Sequence, residues 1–276
     1  METIIEGNEK YIVHNLLGEN KQFRYYRASS DKHIGQELML KIGITPEQNG
    51  ILDYEAYILK VLLEKASELE ESYAKLEKEG QLNYQIGFPT LVETFISKEQ
   101  DGRRILILKF AAADTLTELL PISMIRSRHK VRVDPKTSAW ILGKLLKIIA
   151  FAHNEEITVG NLTSDNILVV REHHLVTILD WSSADFGEEV SRTEVNQEIS
   201  DATKAVIKLL DGKSKPVLLL QDEQLTNDSY VDFLASLMRG DFNDTHQAHS
   251  AFYKTVEALW KREFHPYTTF PLTKEN

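Results

Sequence analysis

Two apolar runs of this chain carry, at one end, a polar side chain whose chemistry suits a hard cation. Asn166 opens the run Asn-Ile-Leu-Val-Val, and Asp180 closes the run Thr-Ile-Leu-Asp. Amide and carboxylate oxygens are ligands that Mg²⁺ accepts from proteins, usually few in number and completed by phosphate oxygens. The alternative is structural, because asparagine is common in turns and aspartate is common as a cap.

A lysine and a glutamate form a second candidate pair. Lys41 interrupts the short apolar strand Leu38–Ile42, and Glu55 lies in the helical pattern that begins at Ile51. A lone lysine in a strand is more often an edge residue, so this pair depends on the rest of the pattern for its interpretation.

Composition excludes several classes of protein. The 276 residues carry a net charge of −10, which disfavours a nucleic-acid partner. Cysteine is absent, which excludes disulfides and cysteine-ligated zinc and fits a cytoplasmic location. We expect no signal peptide and no membrane partner, because the first residues lack the required pattern and no window approaches ~18 uninterrupted apolar residues.

The first part of the chain, 1–110, reads as about five strands with one helix inserted. The helix runs from Ile51 to about Gly80, and its tail Glu64–Glu79 is dense in Glu and Lys. Such a tail is typical of a solvated helix face, and a partner-docking helix is the alternative. The predicted strands are Tyr11–Leu17, Phe23–Ala28, Leu38–Ile42, Thr90–Ile96 and Arg104–Phe110, the last two joined by a hairpin at Asp101-Gly102.

The second part, 111–276, reads as mainly helical, with the boundary near Phe110–Ala113. A long helix starts at Asp134-Pro135 and runs to His153. We also predict a helical turn, an exposed basic loop, two strands and three helices; these are, in order, Thr115–Leu120, Arg126–Arg132, Asn166–Val170, Val176–Leu179, Ile199–Leu210, Tyr230–Arg239 and Ala251–Arg262.

The loop Val159–Val169, followed by Ile178–Trp181, resembles the catalytic loop and metal-binding strand of the protein-kinase-like superfamily. The resemblance extends from about Tyr11 to about Trp260. It implies an α+β, bilobal fold, in which a small antiparallel-sheet N-lobe with one helix covers 1–110. A larger, mainly helical C-lobe then covers 111–276.

The resemblance also implies a site for ATP and Mg²⁺. Asn166 and Asp180 match the metal ligands, Lys41 matches the lysine that contacts the α- and β-phosphates, and Glu55 matches its ion-pair partner. Gly18 is the only one of the three loop glycines that remains, since Asn20 and Phe23 stand at the other two positions. The backbone from Lys109 to Ala111 matches the segment that meets the adenine edge, after Leu108 at the gatekeeper position.

The sequence departs from the family where the chemistry takes place. Asn161 stands where the template has the catalytic aspartate, and an amide has no basic oxygen that can accept a hydroxyl proton. No Ala-Pro-Glu precedes Asp201, which looks like the buried aspartate at the start of the large C-lobe helix. We expect His153 to serve packing, and His173 and His174 to be solvated at a hairpin tip.

Three functions remain open. The favoured hypothesis is a pseudokinase that binds ATP and Mg²⁺ and acts as a regulatory switch or scaffold, with a protein partner. A weakly active kinase or nucleotidyl transferase is the second. A nucleotide-free interaction module is the third, with Glu64–Glu79 and Arg126–Arg132 as candidate docking faces.

Overall fold

The computed structural model describes residues 3–76, 82–187, 189–210, 224–261 and 263–272. The chain divides into two compact units. The first comprises Met1–Leu119 together with Asp180–Ala184, and the second comprises Leu120–Leu179 and Asp185–Asn276.

The first unit is built on one antiparallel sheet of six strands, in the order β1-β2-β3-β4-β6-β5. The five strands predicted from the sequence are present. The additional strand, β1, is four residues long and pairs with the start of β2, and the exposed side chain of Ile4 leaves it without a clear apolar pattern. The strands are β1 Thr3–Glu6, β2 Lys10–Glu19, β3 Phe23–Ser29, β4 Leu38–Gly43, β5 Thr90–Ser97 and β6 Arg103–Lys109.

Alternation along β4 decides where Lys41 lies. Leu38, Leu40 and Ile42 join an apolar cluster on one face of the sheet. Because successive side chains of a strand point to opposite faces, Lys41 lies on the other face. Every residue of β4 is buried, so Lys41 is an interior residue rather than the edge residue that a lone lysine in a strand usually is.

One helix, α1 (Asn49–Ala74), packs against β5 and β6 of this sheet. Leu52, Ala56, Leu59 and Leu62 form its buried face at helical spacing, as the sequence predicts. Residues 77–81, which include the end of the predicted helix, lie outside the described part of the chain.

The second unit is mainly helical, around α3. Asp134 caps this helix by accepting a hydrogen bond from the backbone N–H of Thr137, and Pro135 occupies the first helical position. The helices are α2 Ile122–Ser127, α3 Pro135–Asn154, α4 Arg192–Leu209, α5 Gln224–Arg239 and α6 Thr245–Trp260. The strands are β7 Leu120–Pro121, β8 Val131–Val133, β9 Ile157–Thr158, β10 Ile167–Val170, β11 Leu175–Ile178, β12 Asp185–Phe186 and β13 Thr269–Pro271.

Of two local predictions for the segments that precede α3, the first is wrong and the second is wrong in part. Thr115–Leu120 forms turns that lead into β7 rather than a helical turn, because Pro121 restricts the residue before it to extended conformations. Arg126–Arg132 is an exposed loop only in its middle, where Arg128, His129 and Lys130 are exposed between α2 and β8. It contains the end of α2 and the start of β8, and the buried guanidinium of Arg132 lies 5.0 Å from the ring of Phe270 on the paired strand β13.

None of the helices in the described ranges is both long enough and apolar enough to cross a membrane.

The cap of α3 gives a test of how this unit is stabilised. Asp134→Ala removes the acceptor for Thr137 and the partner of His265, whose Nε2 lies 2.7 Å from the carboxylate. We expect the free energy of unfolding to fall by about 1–2 kcal/mol in urea titrations. Asp134→Asn keeps the capping acceptor and should lose clearly less; an equal loss in both variants would show that the cap is not the stabilising contact.

Candidate functional site

The ammonium of Lys41 lies between two carboxylates in the interior of the first unit. Its Nζ donates to Glu55 Oε2 at 2.6 Å and to Asp180 Oδ1 at 2.8 Å. The side chains of Lys41 and Glu55 are fully buried, and that of Asp180 is 7% exposed. The ion pair between Lys41 and Glu55 that the resemblance implies is therefore present.

The backbone after Asp180 completes this network. The N–H of Trp181 donates to Glu55 Oε1 at 3.1 Å, and the N–H of Ser182 donates to Asp180 Oδ1 at 2.9 Å. The indole ring of Trp181 packs edge-on against Phe88, with ring centroids 6.3 Å apart. Asp180 is thus held in position by the backbone N–H of Ser182 as well as by Lys41.

Two aromatic side chains of β3 lie over the ammonium. The Phe23 ring centroid is 4.2 Å from Lys41 Nζ, and the Tyr25 ring centroid is 5.6 Å away, both within cation–π range. The Tyr25 hydroxyl donates to Asp180 Oδ2 at 3.2 Å, on the opposite carboxylate oxygen from the one that Lys41 uses. We call Phe23 and Tyr25 the aromatic cover.

Burial acts to raise the pKa of Glu55, Asp180 and Tyr25, and their neighbours decide the outcome. Burial raises the pKa of Glu55, and the neighbouring charge of Asp180 acts in the same direction, while Lys41 opposes both. Burial also acts to raise the pKa of Asp180, but Lys41 and the hydrogen bonds from Ser182 outweigh it and hold that pKa below its usual value. The pKa of the Tyr25 hydroxyl is raised by burial and by the two carboxylates, so this hydroxyl stays a proton donor.

The turn between β2 and β3, which the sequence matches to a glycine-rich loop, is shaped by an asparagine side chain. Asn20 Oδ1 accepts hydrogen bonds from the backbone N–H groups of Gln22 and Phe23, both at 2.8 Å. A Cβ atom added to Gly18 would meet nothing within 4 Å, so the described chain makes no close approach that requires glycine there. Asn20 therefore shapes the turn that leads Phe23 into β3.

The remaining predicted contacts of the first unit lie around the end of β6. Lys109 is the last residue of this strand and is paired with Thr90, while Ala111 follows in a turn. Leu108, at the predicted gatekeeper position, is fully buried. The roles of Gly18, Lys109 and Ala111 in holding a nucleotide stay predictions.

In the second unit, Asn166 closes the loop that begins at Asn161. Its side-chain amide donates to the backbone carbonyl of Asn161 at 2.6 Å. Its backbone carbonyl accepts from the N–H of Leu179 at 2.9 Å. Asn166 is buried, whereas Asp165 beside it is exposed. The loop is thus fixed in shape by the residue that the sequence picks out as a metal ligand.

The buried carboxylate that supports this loop is Glu198, and the prediction for Asp201 is wrong. Glu198 Oε1 accepts from the N–H groups of Val159 and Gly160, both at 2.7 Å, and Oε2 lies 2.8 Å from His153 Nε2. Asp201 lies almost one helical turn later on α4, partly exposed, and bonds Gln197 and Lys204 at the surface. Because α4 starts at Arg192, after a capping box at Ser191 and Glu194, Glu198 falls on its buried face.

The histidine predictions have mixed outcomes. The His153 side chain is 7% exposed and forms hydrogen bonds with Glu198 and Thr245, as expected for a packing residue. His173 is exposed at the hairpin tip, as predicted. His174 is only partly solvated: its ring stacks between Trp140 and Phe264, because α3 and the segment after α6 meet the hairpin there.

The metal prediction joins residues of two different units, since Asp180 belongs to the first and Asn166 to the second. Over the ranges that the structure describes, no group of three or more His, Asp or Glu side chains is arranged to hold a metal ion. The pairing of Asn166 and Asp180 around Mg²⁺ stays a prediction.

The chain is similar in structure to two solved proteins. One is "Structure of vaccinia related kinase 3", with a TM-score of 0.63 and 15% sequence identity over 94% of this chain and 90% of the other. Another is "Crystal structure of BubR1 kinase domain", with a TM-score of 0.60 and 12% identity over 93% and 83%. No protein-family model and no curated protein matches the sequence. At these identities the likeness establishes the fold, and the fold class predicted from the sequence is confirmed.

Removing the buried ammonium should be severely destabilising. In Lys41→Met two carboxylates stay in the interior without their cation, and we expect a loss of about 3–5 kcal/mol in the free energy of unfolding. Lys109→Met, at the partly exposed end of β6, is the control and should change stability by less than about 0.5 kcal/mol.

The pH dependence of that loss separates charge from packing. Without Lys41, burial raises the pKa of Glu55 and Asp180 above their unfolded values, so the folded variant binds protons more tightly than its unfolded chain. Its stability then falls as the pH rises through that window. Chemical unfolding should show a smaller loss at about pH 5 than at about pH 8; a loss independent of pH would point to packing alone.

A matched pair of variants tests whether Glu198, rather than Asp201, is the buried carboxylate of α4. Glu198→Ala leaves His153, the buried N–H of Val159 and the N–H of Gly160 without their acceptor, and should lower the free energy of unfolding by about 3 kcal/mol. Asp201→Ala on the same helix should change it by less than about 0.5 kcal/mol. Losses of the opposite order would restore Asp201 as the buried carboxylate.

Proposed function

We propose that this chain, which has the protein-kinase fold, is a pseudokinase: a regulatory switch or scaffold that transfers little or no phosphate. The observation that carries the proposal is the aromatic cover, which occupies the surroundings of Lys41 and Asp180 with side chains of the protein itself. Asn161 at the general-base position supports it independently.

The chemistry available at Asn161 is poor. Its amide cannot accept a proton from a substrate hydroxyl, and loss of a general base lowers rates by about 10²–10⁴-fold. Asp165 is the nearest carboxylate in the sequence, but it lies four residues further along, exposed on a turn. Residual transfer by positioning alone would therefore be slow.

The ionic part of the site suits ATP with Mg²⁺. One ammonium and two carboxylates leave a formal charge of −1 in the interior, which favours a cation over an anion beside Asp180. When bound, Mg²⁺ would supply charge neutralisation to the phosphates, and Asn166 and Asp180 are the residues with suitable oxygen ligands.

The aromatic cover does not suit that ligand. Lys41 has no exposed surface, so a phosphate cannot reach its ammonium unless a neighbouring side chain moves. The Tyr25 hydroxyl lies on Asp180 Oδ2, the carboxylate oxygen that Lys41 leaves for a metal. Phe23 and Tyr25 thus occupy the approach that a phosphate and a metal would use.

These two properties together define the proposed switch. In one state Phe23 and Tyr25 cover the ionic cluster; in the other they leave it, and ATP with Mg²⁺ binds against Gly18, Lys41 and the backbone of Lys109 to Ala111. Nucleotide shifts the balance only as far as its affinities for the two states differ. A protein partner would sense which state is populated.

A nucleotide-free interaction module is the second candidate, and the complete burial of Lys41 favours it. In that case the cover is permanent and the ionic cluster is part of the core. The exposed side chains of α1, among them Glu64, Glu68 and Glu71, would then be a docking face for a partner protein.

A single hydroxyl distinguishes the two candidates. Tyr25→Phe keeps the ring and removes the group that occupies Asp180 Oδ2. In thermal unfolding with saturating ATP, we expect magnesium to raise the melting temperature more in Tyr25→Phe than in the wild type, by up to about 5–10 °C. The matched control is Tyr26→Phe, on the neighbouring position of the same strand, which should behave as the wild type. If neither wild type nor Tyr25→Phe responds to any nucleotide, the switch is wrong and the interaction module stands.

Loss of phosphoryl transfer is tested by turnover. Wild-type protein incubated with γ-labelled ATP and Mg²⁺ should release or transfer no label above background. Label transfer that disappears in Asp180→Ala would contradict the pseudokinase proposal, because Asp180 would then be holding a metal in a working site.

A further inference from the structure

A pocket of about 210 Å³ lies in the second unit and shares no residue with the candidate nucleotide site. Its walls come from β7, from α2 and β8 with the turn that joins them, from the turn between β10 and β11, and from the segment that contains β13. The volume is smaller than the roughly 300–1,000 Å³ of pockets for drug-sized ligands. The pocket therefore suits a small chemical group.

Every polar side chain in the wall of this pocket is able to donate a hydrogen bond. Arg171 is a permanent cation, His129 carries an N–H in either ring form, and Tyr267 and Thr269 carry hydroxyls. Within the described part of the chain, none of these four side chains forms a hydrogen bond or an ion pair, and no aspartate or glutamate lines the pocket. In a protein whose net charge is −10, such a group favours an anionic ligand.

Arg171 and Tyr267 lie beside each other. The guanidinium carbon of Arg171 is 5.9 Å from the centroid of the Tyr267 ring, within cation–π range. Burial raises the pKa of Tyr267 to about 12, and the charge of Arg171 opposes that rise only in part. The hydroxyl is therefore protonated at neutral pH, so the pocket holds a cation and an O–H donor close together.

The turn after α2 fixes the place of His129. Its backbone N–H donates to the carbonyl of Met124 at 3.0 Å. Lys130, the next residue, has a φ of 56°, in the left-handed region, and its carbonyl accepts from the N–H of Leu272 at 3.4 Å. The turn is thus tied to α2 on one side and to the residue after β13 on the other, so the backbone that carries the exposed His129 is held in place.

Strand alternation directs Thr269 to the same side as the rest of the lining. β13 pairs with β8 in an antiparallel ladder in which Thr269 lies opposite Val133. Cross-strand partners share a face of the sheet, and so do residues two positions apart along a strand. Thr269 therefore shares a face with Val131, which also lines the pocket, while Arg132 and Phe270 lie on the other face.

The rest of the lining is apolar and consists of Leu120, Ile125 and Val131. A free inorganic ion gains nothing from apolar side chains, whereas a carbon group attached to the ion buries surface against them. The donors suit phosphate, because its oxygens accept several hydrogen bonds at once and a guanidinium binds two of them in parallel. The two parts of the lining together favour a phosphate monoester.

We propose that this pocket binds a phosphate monoester with a small apolar group. The Arg171 guanidinium donates to two phosphate oxygens, and Tyr267, Thr269 and His129 complete the set of donors. The carbon portion of the ligand lies against the apolar side chains. The proposal is independent of the nucleotide switch and does not depend on it.

The test is isothermal titration calorimetry of the full chain with phenyl phosphate, phenol and inorganic phosphate, at constant ionic strength and without nucleotide. We expect phenyl phosphate to bind saturably. Phenol should bind at least about ten-fold more weakly because it lacks the charged group, and inorganic phosphate several-fold more weakly because it lacks the ring. No saturable binding of phenyl phosphate, or equal binding of phenol, overturns the proposal; equal binding of inorganic phosphate overturns the assignment of an ester.

Variants assign the binding to this pocket. Arg171→Gln removes the cation, and Tyr267→Phe keeps the ring and removes the hydroxyl; each should weaken phenyl phosphate roughly ten-fold. Arg192→Gln, at the exposed first residue of α4 and outside the pocket, is the control and should bind as the wild type. Circular dichroism confirms folding of each variant. Equal affinities in Arg171→Gln and Arg192→Gln contradict the assigned pocket, because phenyl phosphate would then be bound elsewhere, for instance at the nucleotide site.

Discussion

The buried ammonium of Lys41 is the constraint on which the first unit depends. A charge in the interior is tolerated only when it is paired and hydrogen-bonded, and here β4 supplies the cation, α1 supplies Glu55, and a segment 139 residues further along supplies Asp180. The strand alternation that directs Leu40 and Ile42 to one apolar face necessarily turns Lys41 to the other. The carboxylates that neutralise Lys41 must therefore be supplied by other segments that pack against that face.

The ions of this cluster suit a phosphate and a metal, but the aromatic cover blocks access to the Lys41 ammonium. A phosphate site needs an accessible ammonium and a loop whose backbone can come close, which is why glycines suit it. This chain has Asn20 and Phe23 at two of those positions. Asn20 shapes the turn, and Phe23 places an aromatic face against the ammonium instead of open space. The ionic cluster is thereby kept intact while access to it is closed.

Much of this arrangement is predictable from the sequence, because its signals are local. The apolar periods of β3, β4 and α1 and the cap of α3 at Asp134 each depend on a few neighbouring residues. The pairing of Lys41 with Glu55 was implied only by the resemblance of a motif. The burial of Arg132 and of Glu198 could not be predicted from neighbouring residues, because it depends on segments far away in the sequence. Arg132 is buried because β13 pairs with it, and Glu198 lies inside because α4 begins earlier than its apolar pattern indicates.

The exchange of Lys41 ammonium protons with water tests the central claim most directly, in a two-dimensional ¹⁵N spectrum of the lysine side chains without nucleotide. If Phe23 and Tyr25 cover the buried ion pairs, a Lys41 signal persists at neutral pH, where surface ammonium groups exchange too fast to be seen, and it is lost in Phe23→Gly. A wild-type Lys41 ammonium that exchanges as fast as the surface lysines would contradict the account, because the site would then be open to solvent and to phosphate.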